Sequence, residues 1–342
     1  MEKKKTKKKI NSSTFLLMIT IVLFAVMYIA GMIIFNDKGF AKPQMFMNLF
    51  ISNAGLIVIG CGMTLVMITG GIDISVGSVT ALVCMSAAYA MENKGMSAVA
   101  AVAISLLIGT LFGIVQGYLV TYLEIQPFIV TLAGMFFGRG LTAVISTDMI
   151  AIQNKTFLKW ANYRINLPFG TYNRRGVFIP AYIYPTVIIA LAVVILITLM
   201  LKFTKFGRSL YAIGGNQQSA VMMGLDVKKT KMKAYVLDGF LAGLGGFLFC
   251  LNSCAGFVEQ AKGLEMDAIA SAVIGGTLLS GGVGTVVGTL FGVLINGTIS
   301  SLITTQGTLS SWWVRITLSA LLCFFIVLQA VIAAVKRKKK KK

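Results

Sequence analysis

Gly70-Gly71-Ile72-Asp73-Ile74-Ser75-Val76-Gly77-Ser78-Val79 interrupts a largely apolar stretch that runs from residue 50 to residue 91. The paired glycines release the backbone from helix, and Ser75 and Ser78 offer caps for a restart, with the acidic Asp73 near the new N-terminus, where a carboxylate is favourable. A membrane-crossing helix needs about 20 predominantly apolar residues. The stretch therefore reads as one full span, a break, and a second, shorter span. Unwound backbone is tolerated inside a bilayer only against protein or water, so the break is expected to face one of these rather than lipid.

An echo lies downstream. Gly275-Gly276-Thr277-Leu278-Leu279-Ser280, followed by Val283-Gly284-Thr285-Val286, interrupts a second apolar region, and Gly-Thr-Leu-Phe-Gly occurs at both 109–113 and 288–292. The spacing between echoes differs in the two halves, so a strict duplication is not established. Paired glycine-interrupted segments are nonetheless a sequence pointer to a transport pathway.

Composition extends this reading to the whole chain. Of 342 residues, 57% are apolar and 12% charged, against about 45 to 50% and about 25% in soluble domains. Residues 1–10 and 336–342 hold 14 of the 42 charged side chains and +12 of the net charge of +20. Lysine tails flanking apolar spans suit anionic lipid rather than nucleic acid, which needs a basic face on a folded domain. The five cysteines lie in apolar stretches, and with no histidine anywhere they read as packing residues rather than metal ligands.

Ten spans are expected, at 15–35, 50–70, 76–91, 97–122, 127–147, 181–201, 234–254, 267–281, 283–304 and 312–335, giving an all-α polytopic membrane protein. Residues 267–304 also admit a re-entrant pair or one broken helix. The first span follows a Lys-rich segment, but its 21-residue run exceeds a signal-peptide core and no small-x-small cleavage site follows, so it is expected to be retained. With both termini cytoplasmic, the segments 1–14, 202–233 and 336–342 place 20 basic residues inside, against 9 in the outer loops, among them 148–180. Gly109, Gly113 and Gly117, Gly284, Gly288 and Gly292, and Gly239 with Gly243 recur every fourth residue, the pattern that lets membrane helices approach closely.

Placing an Asp near the bilayer centre costs about 2.5 to 3.5 kcal/mol, so Asp73 needs a partner. Two roles fit it: a cap or gate support with Ser75 and Ser78, or direct contact with a polar solute. Asn53, Gln116, Arg139, Asp238, Asn252, Asn296, Arg315 and Gln329 are further polar residues within spans, for which interhelical hydrogen bonding, or for Arg315 and Asp238 a position close to an interface, is the plain explanation. Asp73, Ser75, Ser78, Asn53 and Gln116 form the candidate pathway or gate set. No Walker A sequence, Ser/His/Asp set or Cys/His pair occurs, so the chain is expected to carry no catalytic residues and no metal. Energy from ATP would have to enter through another polypeptide.

Between spans, residues 211–226 read Tyr-Ala-Ile-Gly-Gly-Asn-Gln-Gln-Ser-Ala-Val-Met-Met-Gly-Leu-Asp. Asn216 can cap a short helix from Gln217 to Met223, Gly224 can end it, and Met222 and Met223 offer adaptable apolar contact to a soluble partner. This loop and the Gly70–Ser78 motif resemble the permeases of ribose-type sugar importers of the ATP-binding-cassette class. In that family an E-A-A-x-x-x-G element docks on the ATPase; the matching positions are Gln218, Ser219, Ala220 and Gly224, with Gly215 and Asn216 leading in, and Gln218 departs from the acid. Segments 125–137, 264–284 and 307–313 look closer to the galactofuranose importer's permease. The resemblance implies a partner ATPase that binds ATP and Mg, a second permease subunit in a heterodimer rather than a homodimer, an extracytoplasmic sugar-binding protein, and location in the cytoplasmic (inner) membrane. Outer-loop Arg174 and Arg175, with Lys155, Lys159 and Arg164, can pair with acids on the binding protein or form a solvated basic loop. The competing class is a secondary transporter driven by an ion gradient, with Asp73 or Asp238 as ion ligand.

Overall fold

The computed structural model describes residues 12–172, 176–308, 310 and 312–340. In chain order the helices are α1 (Ser12–Ile34), α2 (Pro43–Ile68), α3 (Val76–Glu92), α4 (Ala98–Thr121), α5 (Pro127–Ile145), α6 (Lys155–Ala161), α7 (Pro185–Phe203), α8 (Lys205–Gly215), α9 (Gln217–Met222), α10 (Val227–Ser253), α11 (Leu264–Ile274), α12 (Val286–Gln306) and α13 (Trp312–Lys340). Among the described residues four short strands accompany them: β1 (Ile150–Ala151), β2 (Ile165–Tyr172), β3 (Phe178–Ile183) and β4 (Ala255–Gly256).

Among the described residues, eight helices are long and apolar enough to cross a membrane: α1, α2, α4, α5, α7, α10, α12 and α13. The other two expected spans are shorter. α3 has 17 residues and α11 only 11, because each adjoins a glycine break. The expected span 267–281 leaves helix at Gly275, and Gly276, Gly281 and Gly282 all take positive φ, which favours glycine. Gly284 belongs to this turn and not to a helical glycine row. Proline occupies the first helical turn of α2, α5 and α7, where its missing N–H costs nothing.

The expected outer loop 148–180 is not simply loop. β2 and β3 form an antiparallel hairpin with Ile165 opposite Ile183 and Tyr172 opposite Phe178, and β1 pairs with β4. The expected inner loop 202–233 is mostly helical: α8, α9 and the first turns of α10. Asp226 Oδ1 accepts from Lys229 N at 2.9 Å and so starts α10 well before residue 234. That backbone bond and the Lys229 side chain hold the Asp226 carboxyl below the usual carboxylate range. The contribution of this cap is therefore present above that range and is lost as pH falls through the lowered value.

α2 and α10 form the centre. In their most apolar windows 83% and 72% of residues are buried, against 17% in α1 and α13, so the latter present their apolar surface outward. α10 is held against α4 through glycines: a Cβ on Gly109 would collide with the Gly239 carbonyl oxygen, and one on Gly113 would lie 3.1 Å from Gly239 Cα. α11 meets α12 similarly, at Gly275 with Gly288 and at Gly292 with Ser271. The two ends of the bundle differ. At the hairpin end, Gln44 of α2 exchanges hydrogen bonds with the Tyr182 backbone, and Glu92 accepts from Gln153 and Asn154 amides. The opposite end carries α8 and α9.

Candidate functional site

At the first break α2 ends at Ile68, and Gly70 turns the chain with φ +81° while Gly71 N donates to Val66 O at 3.1 Å. The chain then re-enters the bundle. Asp73 Oδ1 accepts from both the backbone N and the hydroxyl of Ser75, each at 2.7 Å. Ser75 rather than Asp73 occupies the cap position of α3, and Asp73 closes the turn before it. Ser78 Oγ donates to Ser75 O at 2.7 Å, and Gln116 Nε2 of α4 donates to Ser75 Oγ at 2.8 Å. α5 seals the network, since a Cβ on Gly138 would lie 2.8 Å from Ser78 Oγ. Four of the five candidate pathway residues, Asp73, Ser75, Ser78 and Gln116, are thus brought together, all buried.

Asp238 of α10 joins them. It is fully buried and interacts electrostatically with the Asp73 carboxyl, and neither of its carboxylate oxygens has a hydrogen-bond partner among the described residues. The Tyr235 hydroxyl, also buried, completes the cluster. Among the described residues the ion pairs are Lys228 with Glu124, Lys229 with Asp226 and Lys262 with Glu259, so none reaches either buried Asp. Both acids are visible in the sequence, but their meeting across distant spans carries no sequence signal.

The second break meets the first. Gly282 N donates to Ile68 O at 2.8 Å, and a Cβ on Gly281 would lie 2.8 Å from Gly70 N. α8 packs on this junction. Tyr211 Oη donates to Gly284 O at 2.8 Å, and a Cβ on Gly214 would collide with Ile68 O and Gly282 N. The end of α2, both glycine breaks and the end of α8 therefore form one backbone-to-backbone contact.

α9 projects from that contact. Asn216 follows α8 and caps α9, with Oδ1 accepting from Ser219 N at 2.9 Å, and Gly224 takes φ +76° just beyond α9. Gly215, Asn216, Gln218, Ser219 and Gly224 are exposed, whereas Ala220 is buried against Ile213 and Val227. Ala220 therefore supports the element from inside. Val221, Met222 and Met223 stand out at 57%, 86% and 67% exposed. Arg174 and Arg175 lie outside the described residues.

Asn53 does not belong to the Asp73 network. It donates to Leu49 O at 2.8 Å and lines a cavity of about 520 Å³ formed by α2, α10, α11, α12 and α13. Asp267, Asn296, Ser300 and Arg315 share that lining. A spacing signal was present: Gln44, Asn48 and Ser52 on α2, and Asn296, Ser300 and Thr304 on α12, recur every fourth residue and fall on one helix face.

Residues 45–326 match the family described as branched-chain amino acid transport system, permease component, and the chain belongs to that family. The fold and the relatives together define a permease component of the sugar ATP-binding-cassette importer kind, a multi-pass protein of the inner membrane. The chain is 42% identical over 313 residues to the inner membrane ABC transporter permease protein YjfF of Escherichia coli K12, covering 92% of this chain and 91% of that one. It is 35% identical to the fructose import permease protein FruG of Bifidobacterium longum, covering 92% and 90%. It is 38% identical to the ribose import permease protein RbsC of Bacillus subtilis, covering 78% of each. No solved structure matches the chain.

Proposed function

We propose that this permease carries a monosaccharide of the galactofuranose, ribose or galactose type into the cell, driven by a separate ATPase subunit that binds ATP and Mg. In this reading the bundle crosses the membrane ten times, α3 and the α11 break serving as the two short crossings. Both termini and α9 are cytoplasmic, and the hairpin end faces outward. The 20 to 9 distribution of basic residues supports that orientation. A second, related permease chain completes the pathway, and an extracytoplasmic binding protein delivers the sugar to the hairpin end, where Arg174 and Arg175 contribute to docking.

The observation that carries the proposal is α9. A six-residue helix, capped by Asn216 and backed by buried Ala220, presents Val221 and Met222, with exposed Met223 just after it, and α8 ties it to both glycine breaks. Exposed methionines suit an adaptable contact with a soluble partner. A push on α9 reaches Ile68 and Gly282 through Gly214, and these are the ends of segments that are already unwound. Asp73, Ser75, Ser78 and Gln116 then act as the gate, because movement at Gly70 pulls on the turn that Asp73 closes. An ion-gradient carrier has no use for such a helix.

Met222→Asp tests this directly. A contact anchor buried at an interface contributes about 2 kcal/mol or more. The variant is expected to insert normally yet to lose the ATPase on purification and to lose ATP-driven uptake. Retention of both would contradict the coupling role of α9.

A further inference from the structure

The cavity around Asn53 has no part in the gate network, yet Ser52, Asn53, Asp267, Asn296, Ser300 and Arg315 give it a partly polar lining. A second void of about 440 Å³, lined by Asn48, Ser301, Thr304 and Thr305, borders it, and the two share Ser52, Asn53 and Ser300. A polar stripe on two adjacent spans is costly against lipid, where each unsatisfied group loses its water. The face therefore borders water or another chain. The cavity lies within the range of about 300 to 1,000 Å³ usual for small-molecule sites.

Its chemistry is specific. The Asp267 carboxylate shares this lining with the Asn296 amide and the Arg315 guanidinium, so two opposite charges partly offset each other there. Asn53 donates to Leu49 O, and its Oδ1 has no partner among the described residues. Phe249 provides an apolar wall. Carboxylate, amide and guanidinium together supply both acceptors and donors, which is what vicinal hydroxyls require, while the aromatic side chain can cover a sugar's C–H face. With opposite charges offsetting each other on one lining, an uncharged polyol suits this void better than an amino-acid zwitterion does.

We infer that the Asn53–Asp267–Asn296 cavity is a monosaccharide station of the translocation pathway, on the hairpin side of the Asp73 gate. The inference rests on the importer reading above and adds to it the residues that hold the sugar. Its test uses the complete complex with its copurifying subunits and binding protein, reconstituted in proteoliposomes with D-ribose, D-fructose and D-galactose as probes.

Asp267→Asn and Asn296→Leu should lower ATP-driven uptake of the carried sugar by about tenfold, the loss expected for one hydrogen bond to a charged group, with subunit stoichiometry unchanged. In a Cys323→Ser background, the thiols introduced by Asn53→Cys and Ser300→Cys should react readily with membrane-impermeant methanethiosulfonate ethylsulfonate. The carried sugar should slow that reaction and L-leucine should not. A thiol from Leu111→Cys, on the outward face of α4, serves as the lipid-facing reference. No ATP-driven uptake by the wild-type complex would overturn the importer reading. Wild-type uptake with unimpaired variants would overturn the sugar station alone, as would thiols no more reactive than the reference, thiols indifferent to the sugar, or protection by L-leucine.

Discussion

Asp73 shows how one side chain holds an unwound segment in place. Its Oδ1 satisfies two donors of Ser75, and Ser75 in turn receives Gln116 from α4, so a single carboxylate orients three elements. Asp73→Ala leaves the Ser75 amide and hydroxyl buried without that acceptor, at a cost of about 1 to 3 kcal/mol per group. Asp73→Asn retains an acceptor oxygen. The alanine variant is expected to melt several degrees below wild type in detergent and the asparagine variant to lie between them. Equal melting temperatures for all three would show that the bonds contribute nothing. At this scale the sequence showed which residues matter but not how they join. The Gly-Gly-x-Asp-x-Ser pattern marked the turn, whereas Asp238 and Tyr235 reach it only through the packing of α10, and Asn53, placed in the same candidate set, turned out to line a different cavity.

Elements are held together here by what glycine omits. Gly109 and Gly239 have no room for a Cβ, while Gly140 on α5 has nothing within 4 Å of one. Gly109→Leu is expected to destabilise the bundle by about 1 to 3 kcal/mol or more through overpacking, and Gly140→Leu to be nearly neutral; thermal unfolding of the two purified variants compares them. Gly214→Val acts on a different property. Its side chain would collide with the backbone of both breaks, so the variant is expected to keep ATP hydrolysis by the assembled complex and lose uptake, a split that parallel hydrolysis and transport assays read. Uptake in proportion to hydrolysis would remove α8 from the coupling path. Most helices were legible from apolar run length, and the starts of α2, α5 and α7 carry a proline signal. The β2–β3 hairpin was not legible, because Pro168 and Gly170 break its alternation where the register shifts between Asn166 and Gly170.

The whole molecule is an α2–α10 centre wrapped by outward-facing helices, with two short elements whose breaks meet. Their meeting gives the sequence echo of Gly70-Gly71 and Gly275-Gly276 a physical content that the repeat pattern alone lacked: the backbone contact at Ile68 and Gly282. The cavity was legible in principle from the four-residue spacing of polar side chains on α2 and α12. Each of those residues taken singly reads as an ordinary interhelical hydrogen bond, and only the fold shows them sharing one void. On the function proposed above, this chain works as the membrane half of an ATP-driven assembly. Purification of the tagged chain from its native membranes in mild detergent, with every copurifying polypeptide identified and counted, tests it most directly. Recovery with an ATPase bearing Walker motifs and a second, related permease is expected. Recovery of the chain alone, active in solute uptake on an ion gradient without any ATPase, would contradict it.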